Sequence, residues 1–198
     1  MELINSKTYE NLKKAFVSEC AARTRYEFVE YGQRNGGYEG LAQITDEIAY
    51  QEFNHARMLY TKIESATKGT IDNEPICVTL PFRERWDIVK NLKHASEDEK
   101  DEAEFYKKAA KTAEEEGFTD IANLFSMIAT VELKHSKIFM HLHEKLKEGT
   151  LYKNDSKKRW TCPACGYETT SEEAFDECPL CKAKMETVKV DLPNKLML

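Results

Sequence analysis

Apolar residues along this chain fall into long stretches with helical spacing. Leu12, Ala15, Phe16 and Val29 mark a stripe in the first stretch. Ile48, Ala49, Met58 and Leu59 do so in the second, and Ile128, Ala129, Ile138 and Phe139 in the last. Recurrence at steps of three, four and seven residues predicts amphipathic helices. Helix one is expected from Ser6 or Thr8 to Arg34, ended by Gly36–Gly37, and helix two from Tyr38 to Ala66. Helix three is expected from Arg83 to Glu116 and helix four from Phe118 to Lys147. Between the second and third, Thr67 to Phe82 contains Gly69, Pro75 and Pro81 and has no helical period, so it reads as a loop. This segment is longer than a simple helix–helix turn and suits a crossover that lays one helical hairpin along another.

The two hairpins are copies. Sliding the chain along itself without a gap lays 11–60 over 91–140, and identical residues pair far more often than random alignment would give. The matches include Glu19/Glu99, Tyr26/Tyr106, Gly37/Gly117, Glu52/Glu132 and His55/His135. A period this long is a structural unit used twice, not a solenoid repeat. Each copy reads Glu, then Tyr seven residues later, then Glu-x-x-His on the partner helix. Seven residues return to nearly the same helix face and three lie about 60° from it. Folding each pair back at its glycine puts Glu19 near Glu52 and His55, and Glu99 near Glu132 and His135.

Any one Glu-x-x-His in a Glu-rich chain is ordinarily a solvated helix surface. Here both recur in register, on stripes flanked by apolar residues. Burying an ion costs several kcal/mol, and four carboxylates in one core repel each other, so cations belong among them. Two Glu and two Glu-x-x-His from four helices is the ligand set of ferritin-like di-iron and di-manganese bundles. One position breaks the symmetry. Glu102, three residues after Glu99 and on its stripe, stands where the first copy has Ala22, and reads as a seventh ligand. Glu97, Asp98, Asp101 and Glu104 on the same helix read as solvated. His94, His141 and His143 lie outside the repeated pattern and are expected at the surface.

Composition narrows the class. The 198 residues are 41% hydrophobic and 32% charged, enough for a modest core under a well-solvated surface. A net charge of −6 argues against nucleic acid or a membrane surface as partner. No apolar window reaches membrane-spanning length and the N-terminus has no apolar leader region, so a cytoplasmic protein is expected. Six cysteines in such a chain point to metal binding. Cys162-x-x-Cys165 and Cys178-x-x-Cys181, separated by a short intervening segment, have the spacing of one tetrahedral thiolate site. About 40 residues do not bury enough apolar surface to fold unaided, which makes the metal part of that module's fold. On the cysteines alone, iron and zinc are both open. Cys20 and Cys77 have no partners at such spacing and read as buried or incidental thiols. The domains expected are 1–149, a linker at 150–158 with its charged run over Tyr152–Arg159, and 159–198.

These residues together resemble the rubrerythrins over nearly the whole chain. The fold implied is an all-α ferritin-like four-helix bundle followed by a small, mostly irregular or β rubredoxin-like metal-binding domain. The resemblance implies a non-haem di-iron peroxidase that reduces hydrogen peroxide to water and protects against oxidative stress. Two irons would be held by Glu19, Glu52, Glu99, Glu102 and Glu132, with Glu52 and Glu132 bridging. His135 would be the fixed imidazole of one iron. The other iron would pass from Glu102 to His55 on reduction, with Tyr26 and Tyr106 hydrogen-bonded to ligand carboxylates. A third iron, with zinc as a possible substitute, would sit on Cys162, Cys165, Cys178 and Cys181. It would relay electrons from an external donor, a rubredoxin or an NAD(P)H-dependent reductase. A homodimer or higher homo-oligomer is implied. The competing readings are a ferroxidase or iron-storage protein, and a non-enzymatic zinc-ribbon protein on a helical scaffold.

Overall fold

A computed structural model describes residues 2–67, 73, 75–82 and 86–198. Four helices carry most of the chain: α1 (Lys7–Asn35), α2 (Glu39–Ala66), α3 (Ile88–Glu115) and α4 (Thr119–Lys147). Each hairpin turns on a glycine in the left-handed region, Gly37 at φ +84° and Gly117 at φ +86°. In both turns the next amide reaches back five residues, Tyr38 N–H to the Gln33 carbonyl (2.9 Å) and Phe118 N–H to the Ala113 carbonyl (2.8 Å). Only glycine takes that conformation without a Cβ penalty, so the repeated glycine encodes the repeated turn.

The expected ends of α1, α2 and α4 match within a residue or two. Helix α3 begins at Ile88 instead of Arg83. Asp87 caps it by accepting from Lys90 N–H at 2.9 Å, and an acidic N-cap sets the start more strongly than the apolar pattern upstream. Arg83, like much of the expected loop (68–72 and 74), lies outside the described residues. The described part, 75–82, has no regular structure.

Two apolar clusters fill the bundle. One, around Tyr9, Leu12, Leu59, Phe125 and Ile128, lies toward the α1 N-terminus and the α3–α4 turn. The other, around Leu41, Ile48, Leu92, Phe139 and Leu142, lies toward the α1–α2 turn and takes in the C-terminal module. Between them sits a polar layer in which Glu19, Glu52, His55, Glu99, Glu132 and His135 are all buried.

Residues expected as a charged linker are instead ordered. Leu151 and Tyr152 join the cluster toward the α1–α2 turn, and strand β1 (Lys153–Thr161) pairs antiparallel with β2 (Glu168–Glu173). Both faces of this ribbon are wet except at Trp160, whose ring is buried and whose Nε1–H donates to the Ser171 carbonyl at 3.1 Å. A strand solvated on both faces shows no apolar alternation, so its sequence is indistinguishable from linker. The module seats on the bundle through Val188, whose backbone lies against Gly40 of α2. No described helix is long and apolar enough to cross a membrane.

Candidate metal centre

The polar layer is two overlapping four-residue groups. Around His55, Nδ1 lies 2.9 Å from Glu132 Oε1, 3.1 Å from Glu52 Oε2 and 3.5 Å from Glu19 Oε2. Around His135, Nδ1 lies 2.9 Å from Glu132 Oε2, 3.0 Å from Glu52 Oε1 and 3.7 Å from Glu99 Oε2. Glu52 and Glu132 each turn one oxygen to one imidazole and the second oxygen to the other. Glu19 and Glu99 are each confined to one group. The two rings are 6.1 Å apart between centroids.

The layer fits a pair of cations. Metal–ligand bonds of about 2.1 Å put adjacent donors about 3 Å apart, which is the spacing found here. Glu19 Oε2, Glu52 Oε1, Glu99 Oε2, both Glu132 oxygens and His135 Nδ1 are fully buried without a hydrogen-bond partner among the described residues. Their near neighbours are one another and the two imidazole Nδ1 atoms, so this many buried acceptors are costly unless protons or cations lie between them. The outer oxygens are held. Tyr106 donates to Glu19 Oε1 and Tyr26 donates to Glu99 Oε1, each tyrosine crossing to the carboxylate of the other copy. That leaves Oε2 of each pointing inward.

Protonation without metal says the same. Burial pushes Glu19 and Glu99 well above the usual carboxylate range, reinforced by Glu132 and Glu52. Burial alone would raise Glu52 and depress both imidazoles, but mutual attraction wins. Glu52 is lowered by His135 and His55. His55 is raised through Glu132, Glu19 and Glu52, and His135 is raised through Glu52 and Glu132. The layer thus gathers positive charge from protons, the role two dications would take over. Burial also raises both tyrosines, with Glu99 facing Tyr26 and Glu19 facing Tyr106, which keeps them as neutral donors.

Glu102 stands beside these groups and not within either. Its Oε1 is buried and without a partner among the described residues, and burial, with Glu132 next, raises its carboxyl to about 8. It contributes to a cavity of about 710 Å³ between α1 and α3, together with Lys14, Ser18, Arg25, Cys77 and Pro81. Cys77 and Cys20 are both exposed, not buried. His143 is buried and its Nδ1 lies 2.8 Å from the Val89 carbonyl. His94 is half-buried with Nδ1 enclosed. Neither is the surface residue expected: α3 packs over His143 through Val89, and His94 lines the wall of a groove with Ala21, Arg25 and Phe28 of α1.

Sequence reasoning missed Gln51. Its Oε1 lies 2.8 Å from His135 Nε2. The available signal was a departure from the repeat, since Val131 occupies this position in the second copy.

In the C-terminal module all four cysteine sulfurs converge. Cys162 and Cys181 Sγ are 3.6 Å apart, as are Cys165 and Cys178 Sγ. Disulfides would be about 2.05 Å long, whereas a tetrahedron with bonds of about 2.3 Å has edges of about 3.8 Å. Two matching turns build it, with Gly166 N–H donating to the Cys162 carbonyl and Lys182 N–H to the Cys178 carbonyl, each at 2.9 Å. Gly166 and Lys182 both have positive φ, +76° and +67°. Desolvation would raise the Cys178 thiol, but the amides of Cys181 and Leu180 bring it down to about 7.

Comparison with known proteins follows this arrangement. The rubrerythrin family model matches residues 10–90 and 90–174. A rubrerythrin of Clostridium perfringens is 37% identical over 180 residues, covering 90% of this chain and 91% of that protein. A rubrerythrin of Nitratidesulfovibrio vulgaris is 31% identical over 193 residues, covering 96% and 98%. A mixed-valence structure of nigerythrin superposes with a TM-score of 0.63 at 24% identity, covering 96% of this chain and 94% of that one, a likeness of fold.

Proposed function

The chain belongs to the rubrerythrin family, and we propose that it is a di-iron peroxidase reducing hydrogen peroxide to water with electrons passed through its four-cysteine centre. The observation that carries this reading is the bifacial placement of Glu52 and Glu132, one oxygen toward each imidazole, in a chain that also assembles four thiolates. A pair of ferrous ions, when bound, supplies the two electrons that cleaving a peroxide O–O bond requires.

The protein's part is to hold that pair and let it change charge. Glu52 and Glu132 would bridge, with Glu19 and Glu99 as terminal ligands whose outer oxygens the tyrosines hold. His135 serves the Glu99 half. The Glu19 half has a neutral donor in His55, with Glu102 as an anionic one close enough to act on Glu19. A carboxylate suits the more highly charged ion and an imidazole the less charged one. Two donors of different charge would therefore let that half suit a bound ion of either charge. The two apolar clusters on either side keep bulk water out of the layer. Cys162, Cys165, Cys178 and Cys181 would hold a third iron, which would supply one-electron transfer. An external reductant and a second copy of the chain are the partners proposed, and the cytoplasm the compartment.

The test compares the parent with Cys162→Ser/Cys165→Ser. Parent protein is expected to carry about three irons per chain and to turn over peroxide with an external reductant. The reduced double variant is expected to consume one equivalent of peroxide and then stop. Turnover of the variant at the parent rate would remove the four-cysteine centre from the path. Absence of iron from the bundle after anaerobic loading would end the di-iron reading.

A further inference from the structure

The two halves of the layer are copies, yet they are not held alike. His135 Nε2 is 2.8 Å from Gln51 Oε1. An amide oxygen only accepts, so Nε2 carries the hydrogen and donates. Nδ1, facing Glu52, Glu99 and Glu132, is then the atom free to bind a metal. In the other half the position equivalent to Gln51 is Val131, which has no acceptor to offer His55. The backbone follows the same division. Next to His135, Ser136 and Ser96 lock α4 to α3, each Oγ donating to the other's carbonyl at 2.8 Å. Their equivalents beside His55 are Ala56 and Phe16, which form no such pair.

We propose that Gln51 is a positioning residue, fixing the ring of His135 with Nδ1 inward, a restraint that Val131, at the equivalent position of the second copy, does not offer His55. Ligand hydrogen bonds of this kind set both tautomer and orientation, and their loss typically weakens metal affinity about 10–100-fold. The inference rests on the metal-binding part of the reading above and not on peroxide chemistry.

The experiment uses the full chain, Gln51→Val and the isosteric Gln51→Glu, which keeps an acceptor. Ferrous affinities of the bundle are measured anaerobically by competition with a chelator, and imidazole N–H exchange is followed by NMR on the zinc-loaded protein. In the parent, one slowly exchanging imidazole N–H assigned to His135 is expected. Gln51→Val is expected to lose that protection and to weaken one of two ferrous sites about 10–100-fold, while Gln51→Glu retains both. If Gln51→Val matches the parent in affinity and exchange, the proposal is overturned. If Gln51→Glu is as weak as Gln51→Val, packing and not the acceptor is responsible, and the proposal is equally overturned. A parent that binds no iron in its bundle would overturn the metal reading itself.

Discussion

Single residues decide how alike the two halves of the layer are. Glu102 is the carboxylate with no counterpart, Ala22 occupying its place in the first copy. Glu102→Ala is expected to leave iron binding through Glu19, Glu52, Glu99, Glu132 and the two histidines, and to slow oxidation by peroxide. His55→Ala is expected to impair the diferrous form with little effect on resting iron content. Stopped-flow oxidation of each diferrous variant by hydrogen peroxide and by dioxygen checks both. Rates equal to the parent with both oxidants would make Glu102 a bystander. The repeat also explains why Glu19 and Glu99 were identifiable among many acidic neighbours. Register selected them, and the tyrosines crossing between copies then proved to be bonded to those two side chains.

At the scale of elements, the ends of helices are shared across the bundle. Glu116, just past α3, accepts from Thr8 N–H at 2.8 Å, Thr8 Oγ–H at 2.6 Å and Lys7 N–H at 3.1 Å, satisfying the first turn of α1. Desolvation is the largest single influence and would raise its carboxyl, but the bonds from Thr8 and Lys7 together outweigh it and hold the carboxyl below the usual range. A depressed folded value means the contribution is complete above the ordinary value of 4.5 and is lost as pH falls through the folded one. Glu116→Ala is expected to cost about 1 kcal/mol at pH 7. The difference from the parent should shrink in denaturant melts as the pH drops below 4.5; a pH-independent difference would place the effect elsewhere. The first copy has Gly36 at this position, so the repeat alone could not announce the cap.

For the whole molecule, the question is how the four-cysteine module is seated. A Cβ on Gly40 would collide with the Val188 carbonyl oxygen and meet its carbon at 2.9 Å and Val190 N at 3.0 Å. Backbone cannot rotate away as a side chain would, so Gly40→Ala must push the module off the end of α2. The helix gains up to about 1 kcal/mol from losing a glycine, but overpacking of this kind costs about 1–3 kcal/mol. A net loss of stability is expected, with faster proteolysis between the bundle and Trp160. Metal binding by the four cysteines should persist, since the metal holds that module's own fold. Unchanged melting and proteolysis would mean the contact is dispensable.

The helices, their glycine turns, the six-residue layer and the four-thiolate cluster were legible in the sequence because each is written in local spacing. Heptad steps, Glu-x-x-His and Cys-x-x-Cys are periodicities of the backbone itself, and the repetition of a whole hairpin, 11–60 as 91–140, showed which copies of them mattered. What only the tertiary structure decided involves partners far apart in the chain. Gln51 and His135 are 84 residues apart, Thr8 and Glu116 are 108 apart, and Gly40 and Val188 are joined by close packing alone. The burial of His143 and the pairing of the exposed ribbon at 153–161 belong with these. No spacing rule records such contacts, because they depend on which surfaces meet when the hairpins pack. Packing also set each oxygen of Glu52 and Glu132 toward its own imidazole, since four helix stripes had to converge before those oxygens had anything to face.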